Sequence, residues 1–179
     1  GKQWYGNPYR ADSNGDGIVE KDGEPFAVEL LVSNSNEATT LASQVIQAQL
    51  KSIGIDVQIK ALEGKAMREE LSAGNFDLGF EDVGWPDPDI LSLVFGAPYW
   101  NFGHYENPAL LEKMDVARHL LDPAERTAAY TEIQKVLLND VIQIPLWENK
   151  RYAATRTWVK GLIVASNGSI YLNDVTIEE

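Results

Sequence analysis

The spacing of apolar residues changes period several times along the chain, and each change marks an expected element. Residues 1–25 hold no sustained period and are dense in Gly, Asn, Asp and Pro, which predicts loop and turn. Phe26-Ala27-Val28-Glu29-Leu30-Leu31-Val32 reads as a strand with Val28, Leu30 and Val32 on one face, because side chains alternate across a pleated backbone. Ser33 to Asn36 supply capping oxygens, and Glu37 suits the positive end of a helix dipole. Ala38, Leu41, Ala42, Val45, Ile46, Leu50 and Ile53 then recur at helical spacing as the expected inward stripe, interrupted by Gln49. Gly54 supplies the left-handed stop. Ile55-Asp56-Val57-Gln58-Ile59 alternates again as a half-buried strand, so strand, helix and strand predict a right-handed βαβ unit.

A short helix is expected around Lys65 to Ala73, stopped by Gly74, and Phe76 to Phe80 reads as a third strand running in parallel. Glu81 to Asp89, with two prolines among acidic residues, reads as a loop opening into the apolar run Ile90 to Phe95. Asn107-Pro108 begins a helix with Leu110, Leu111, Met114, Ala117 and Leu121 inward. Asp122-Pro123-Ala124-Glu125 begins another, with an N-cap, a proline at the first helical position and an acid at the third. Its expected buried face is Tyr130, Ile133 and Leu137, and Val141 to Trp147, Tyr152 to Thr155 and Ile170 to Ile177 read as strands. The expected organisation is a turn-rich leading segment over 1–25, an α/β core over 26–140 and terminal strands over 141–179.

Composition removes competitors more than it selects a function. With 179 residues, 44% hydrophobic and 23% charged, the chain suits one well-buried globular domain. A formal net charge of -12 repels phosphate backbones and anionic membrane surfaces, which argues against nucleic acid as a partner. The same charge would attract cations if focused in a cleft, or it serves solubility. The absence of cysteine excludes disulfides, thiolate metal sites and cysteine nucleophiles. No stretch reaches the length of an apolar membrane span, and Gly1-Lys2-Gln3-Trp4 does not begin a signal peptide, so an exported protein is expected to be present here in mature or truncated form.

Four constellations invite a chemical reading. Asp12-Ser13-Asn14-Gly15-Asp16-Gly17 matches the first half of a calcium loop, with Asp12, Asn14 and Asp16 as oxygen ligands, but the twelfth position is Gly23 rather than Glu. A turn leading into a hairpin uses the same residues for backbone reasons. His104 and His119 lack the spacing of a two-histidine metal site, and no nucleophile elbow, phosphate-binding loop or dinucleotide fingerprint appears. The acidic aromatic loop Glu81 to Asp89 follows an expected parallel strand, at the end of the sheet where open α/β folds place ligands. Trp85 there offers an apolar platform, and Asp82, Asp87 or Asp89 could take a ligand cation; alternatively Asp87 or Asp89 caps the next helix. Tyr99-Trp100-Asn101-Phe102-Gly103-His104-Tyr105 is the second binding candidate, with core packing under a loop as its alternative.

The order of motifs resembles the C-terminal part of family 5 extracellular solute-binding proteins, the peptide- and nickel-binding receptors of ABC importers. The resemblance runs from Asn14-Gly15-Asp16-Gly17-Ile18 through Ala48-Gln49-Leu50-Lys51-Ser52-Ile53-Gly54, Gly74-Asn75-Phe76-Asp77-Leu78, Gly84-Trp85 and Pro86-Asp87-Pro88-Asp89. It continues through Asp122-Pro123-Ala124-Glu125-Arg126 and Ile144-Pro145-Leu146 to Val159-Lys160-Gly161-Leu162. The resemblance implies a periplasmic-binding-protein-like lobe of α/β class, with a βαβ-containing mixed sheet flanked by helices and an N-terminal lobe elsewhere in the same protein. It implies a peptide or other small solute as ligand, an ABC permease as membrane partner, no enzymatic activity, no cofactor and an extracytoplasmic location, periplasmic or lipid-anchored. The family's ligand-facing Trp matches Trp85, and its peptide-binding Asp falls on Asp87 or Asp82, because the linker is shorter here than the family pattern. Trp100 and Asn101 complete the expected substrate-binding set. A calcium-stabilised structural domain and a carboxylate-dependent hydrolase are the rival readings.

Overall fold

Two residues in left-handed conformation, Asp22 (φ 57°) and Gly23 (φ 83°), turn β1 (Glu20–Lys21) back on β2 (Glu24–Pro25) as a tight antiparallel hairpin. This computed structural model describes residues 12–97, 100–150, 152–165 and 167–178, and the chain divides into two units, Gly1–Asp82 and Val83–Glu179. The segment ahead of the hairpin, which holds the first motif, folds as a turn. Asp12 accepts the N–H groups of Gly15 and Gly17, Asn14 accepts that of Asp16, and Asp16 accepts that of Ile18, so the loop's side-chain oxygens close on its own amides.

The first unit is built on β3 (Ala27–Ser33). α1 (Glu37–Lys51) crosses to β4 (Asp56–Leu62), which lies parallel to β3, and α2 (Gly64–Ala73) leads to β5 (Leu78–Gly79), parallel to β3 on its other side. The strand order is therefore β4-β3-β5, with the expected βαβ unit present. Leu30, Val32 and Val57 form the buried face with Val28, Ile59 and Leu50 of α1, as the alternation predicts. The opposite face carries Leu31, which is 0% exposed, and an ion pair of Lys60 with Glu29 that extends to Glu70 of α2. A strand covered on both faces must be apolar at consecutive positions, which accounts for Leu30-Leu31-Val32.

The helix α1 is capped as expected, the Asn36 side chain accepting from the N–H groups of Ala38 and Thr39. Its inward face differs from the expected stripe. Thr39 and Ser43 are buried, Gln47 donates to the Val57 carbonyl at 2.6 Å, and Leu41 is 56% exposed, as are Val45 and Ile53 to similar degree. Small side chains whose hydroxyls bond back to Asn36 and Thr40 carbonyls let the helix approach the sheet without stranding a polar group. The expected third strand shortens to Leu78–Gly79, with Asp77 accepting the Glu29 N–H beside it.

In the second unit α3 (Ile90–Gly96), α4 (Pro108–Arg118) and α5 (Pro123–Asp140) enclose Phe95, Leu110, Met114, Ala117, Tyr130, Ile133 and Leu137. The caps Asn107 and Asp122 are where the sequence places them, and Tyr130, Ile133 and Leu137 are the buried face of α5. Leu121 is a correction: α4 ends at Arg118, and Leu121 is 96% exposed in the turn beyond it. Residues 141–150 and 152–155 are not strands, another correction; β-branched and aromatic content there is not matched by a pairing partner. The terminal strands are two short antiparallel pairs, β6 (Val159–Lys160) with β9 (Thr176–Ile177) and β7 (Ile163–Val164) with β8 (Ile170–Tyr171).

Two backbone positions give opposite expectations. Gly54 has φ +88°, and a Cβ there would stand 2.7 Å from Val19 Cγ1, while its carbonyl accepts the Val19 N–H at 2.8 Å. Val141, an exposed β-branched residue, has φ 54° at the C-cap of α5. Gly54→Ala lowers the urea-unfolding free energy by about 2 kcal/mol, whereas Val141→Gly raises it by about 1 kcal/mol, through relief of left-handed strain.

Candidate functional site

The loop leaving the first unit enters the second through Val83-Gly84-Trp85-Pro86-Asp87-Pro88-Asp89, and proline chemistry stiffens it. A residue before proline is confined to extended backbone, and each proline holds its own φ near one value. The carbonyls of Asp87, Pro88 and Asp89 then accept from Ile90, Leu91 and Ser92, winding the turn into α3. Trp85 stands at the start of this turn and is 60% exposed.

Both aspartates of the turn are bound to the helices behind it. The Asp87 carboxylate accepts the Asp89 N–H at 2.8 Å and the Arg126 guanidinium of α5, also at 2.8 Å. Asp89 accepts from Ser92 Oγ at 2.7 Å, from the Tyr130 hydroxyl at 3.1 Å and from Arg118 of α4, whose Nε lies 3.1 Å from Oδ2. The Arg126 guanidinium also lies over the Tyr130 ring, 5.0 Å from its centroid. The Arg126 hydrogen bond holds the Asp87 carboxyl below the usual carboxylate range. At Asp89, burial pushes upward, but the hydrogen bonds from Ser92, Arg118 and Tyr130 outweigh it and the pKa falls. Tyr130 is pushed up to about 12, first by burial and then by its bond to Asp89. Carboxylates held ionised in this way accept cations and do not serve as general acids at neutral pH.

Of the sequence-derived candidates, Trp85 and Asp87 lie in this turn, with Asp87 engaged by Arg126. Asp82 closes the first unit beyond β5, next to Glu81, whose carboxyl is raised by desolvation and by Asp82 while Arg68 opposes the shift. Asn101 spends its amide on its own loop, Nδ2 donating to the Tyr105 carbonyl at 2.8 Å and Oδ1 accepting the Tyr105 N–H at 2.9 Å. Trp100 is half-buried beside it, Tyr105 meets Phe95 edge-on at 6.0 Å between centroids, and its hydroxyl donates to Asp140. Tyr99 lies outside the described residues. His119 Nδ1 lies 2.7 Å from the Asp115 carbonyl at the end of α4, and His104 is exposed with φ 47°. Among the described residues no three His, Asp or Glu side chains gather to hold a metal, and no helix is long and apolar enough to cross a membrane.

Arg118, Arg126 and Tyr130 were not among the expected site residues; Tyr130 was expected only as part of the buried face of its helix and Arg126 only as part of a family motif. The available signal was Arg126 and Tyr130 at i, i+4 on one helix face, in a chain whose acidic loop needed cations.

Residues 11–103 match the family described as bacterial extracellular solute-binding proteins, family 5 Middle. The chain is 30% identical over 135 residues to the oligopeptide-binding protein AppA of Bacillus subtilis, covering 72% of this chain and 25% of that protein. The solved structure of the same Bacillus subtilis protein with a nonapeptide superimposes with TM-score 0.61 at 27% identity, over 74% of this chain and 27% of that one. A periplasmic oligopeptide-binding protein of Thermotoga maritima, bound to mannohexaose, shares the fold with TM-score 0.71 at 24% identity, over 79% of this chain and 29% of that one. The chain thus spans about a quarter of the length of the relatives it matches.

The carboxylate and phenol shifts define a pH window for the turn. Asp87 and Asp89 have folded-state values lowered from 3.8, so their contribution to stability is present above about pH 4 and is lost as pH falls through the lowered values. Tyr130 is raised from 10.0 to about 12, so its contribution is full below pH 10 and fades as pH rises toward 12. Melting temperature against pH therefore has an acid limb that Arg126→Met makes shallower and an alkaline limb that Tyr130→Phe flattens.

Proposed function

The chain belongs to family 5 of the bacterial extracellular solute-binding proteins, and on that premise we propose that it forms part of the substrate-binding component of an ABC uptake transporter. The match over residues 11–103, which takes in the parallel sheet and the loop after it, carries this reading. In the proposed function the protein encloses a peptide or similar small solute between this lobe and an N-terminal lobe, outside the cytoplasm, and delivers it to a membrane permease. Capture of this kind requires complementary surfaces and a hinge, and no covalent chemistry. The nonapeptide bound by the Bacillus subtilis relative supports peptide as the ligand class.

Trp85 is the residue we assign to ligand contact first. Its ring is exposed, it sits in a stiffened turn, and an aromatic face can pack on a peptide bond or side chain while excluding water. Asp82, Trp100 and Asn101 are assigned supporting positions. At Asp87 a ligand ammonium would compete with Arg126, so Asp87 contributes to binding only where the guanidinium yields.

The test is native mass spectrometry of the protein carrying this chain, followed by calorimetric titration with the co-purified solute. Trp85→Ala weakens that binding by roughly tenfold, the loss of about 1.4 kcal/mol of aromatic contact. Equal affinity in the two proteins removes Trp85 from the site. Catalytic turnover of the solute, lost on changing Asp82 or Asp87, would replace the binding reading with a hydrolytic one.

A further inference from the structure

We infer that Arg126, Arg118 and Tyr130 are positioning residues that latch the Trp85-bearing turn onto α4 and α5, fixing where the indole is presented. This inference rests on reading Trp85 as a ligand platform and adds what holds the platform in place.

Few soft torsions separate the Trp85 Cα from the anchored carboxylates. Trp85 precedes Pro86, so its backbone is confined to extended values, and the rings of Pro86 and Pro88 fix the φ angles that follow. Asp87 is tied to Arg126, and Asp89 is tied to Arg118, Tyr130 and Ser92. Every second residue of the turn is thus a proline and every other one a carboxylate anchored to a helix. Little backbone freedom remains between the Trp85 Cα and the anchored carboxylates. Gly84, on the other side of Trp85, has open space where a side chain would stand, and the anchors reach the indole from its C-terminal side.

The latch joins two helices at one carboxylate, Asp89, which accepts from Arg118 of α4 and from Tyr130 of α5. Tyr130 donates to Asp89 while Arg126 covers its face, so the Asp87 and Asp89 anchors are mechanically joined at Tyr130. An exposed ion pair by itself contributes little to stability. Its effect here falls on position: two anchors and two prolines restrict one turn, and a preorganised contact surface loses less entropy on binding.

The experiment labels the whole chain with 5-fluorotryptophan and reads the 19F resonances, that of Trp85 being assigned by its loss in Trp85→Phe. Arg126→Met shifts and narrows the Trp85 resonance toward its position in the urea-denatured chain, and Arg126→Lys, which keeps a cation on the stem, returns it. Tyr130→Phe shifts it in the same direction to a smaller extent. The Trp158 resonance stays in place in all three. A Trp85 resonance unmoved in Arg126→Met and Tyr130→Phe, with only a lower melting temperature, overturns the inference and leaves the pairs as plain stabilisers. Should Arg126→Met fail to fold, Tyr130→Phe, which deletes one hydroxyl, decides by the same resonance. No ligand enters this measurement, so the latch and the ligand role of Trp85 can fail separately.

Discussion

The burial of β3 on both faces is the constraint from which the first unit follows. Leu30 and Val32 face α1, Leu31 faces the side of α2, and the backbone between them has hydrogen-bonding partners on both edges, β4 and β5. Where Leu30, Leu31 and Val32 are buried the backbone amides need partners, and pairing with β4 and β5 supplies them. The crossover through α1 must then fit the spacing between β3 and β4. Gln47 donating to the Val57 carbonyl and the close approach of Gly54 to Val19 are local consequences of that fit.

The second unit answers a different requirement. Its helices bury an apolar cluster, but the segment that enters it, Pro86 to Asp89, is polar and short, and must stop somewhere definite before α3 can begin. Apolar packing cannot fix an acidic turn. Arginines from α4 and α5 do so instead, with the Tyr130 ring buried in the cluster and its hydroxyl reaching out to Asp89. Tyr130 is therefore the point where the apolar core and the polar turn are joined.

Much of the fold was legible in the residues because local signals and packing agreed. The caps at Asn36, Asn107 and Asp122, the alternation in β3 and the buried face of α5 all follow from spacing. The disagreements share a cause. The α1 stripe was read from apolarity, yet the face that meets the sheet is set by how closely the helix can approach, which favours Thr39 and Ser43 over Leu41 and Val45. Strand propensity over Val141 to Trp147 and Tyr152 to Thr155 meets no partner strand among the described residues, and pairing is a non-local property that propensity does not contain. The site divides in the same way. The proline-rich turn after Trp85 was visible through its local context, whereas Arg118 and Arg126 are distant in sequence from the carboxylates they hold, and only the fold brings them there.

That pairing also bears on the acidic character of the chain. A net charge of -12 would favour a cationic ligand if it were concentrated at the loop. At the turn itself two carboxylates face two guanidinium groups, so their formal charges cancel and the field there comes from the orientation of dipoles more than from net charge. The acidic surplus of the chain therefore lies outside these two pairs. On the proposed reading, what the turn offers a ligand is an exposed aromatic face on a neutral, restrained support. On that reading, selectivity at Trp85 rests on shape and stacking, and a charged end group gains a partner in the turn only by displacing Arg126 from Asp87.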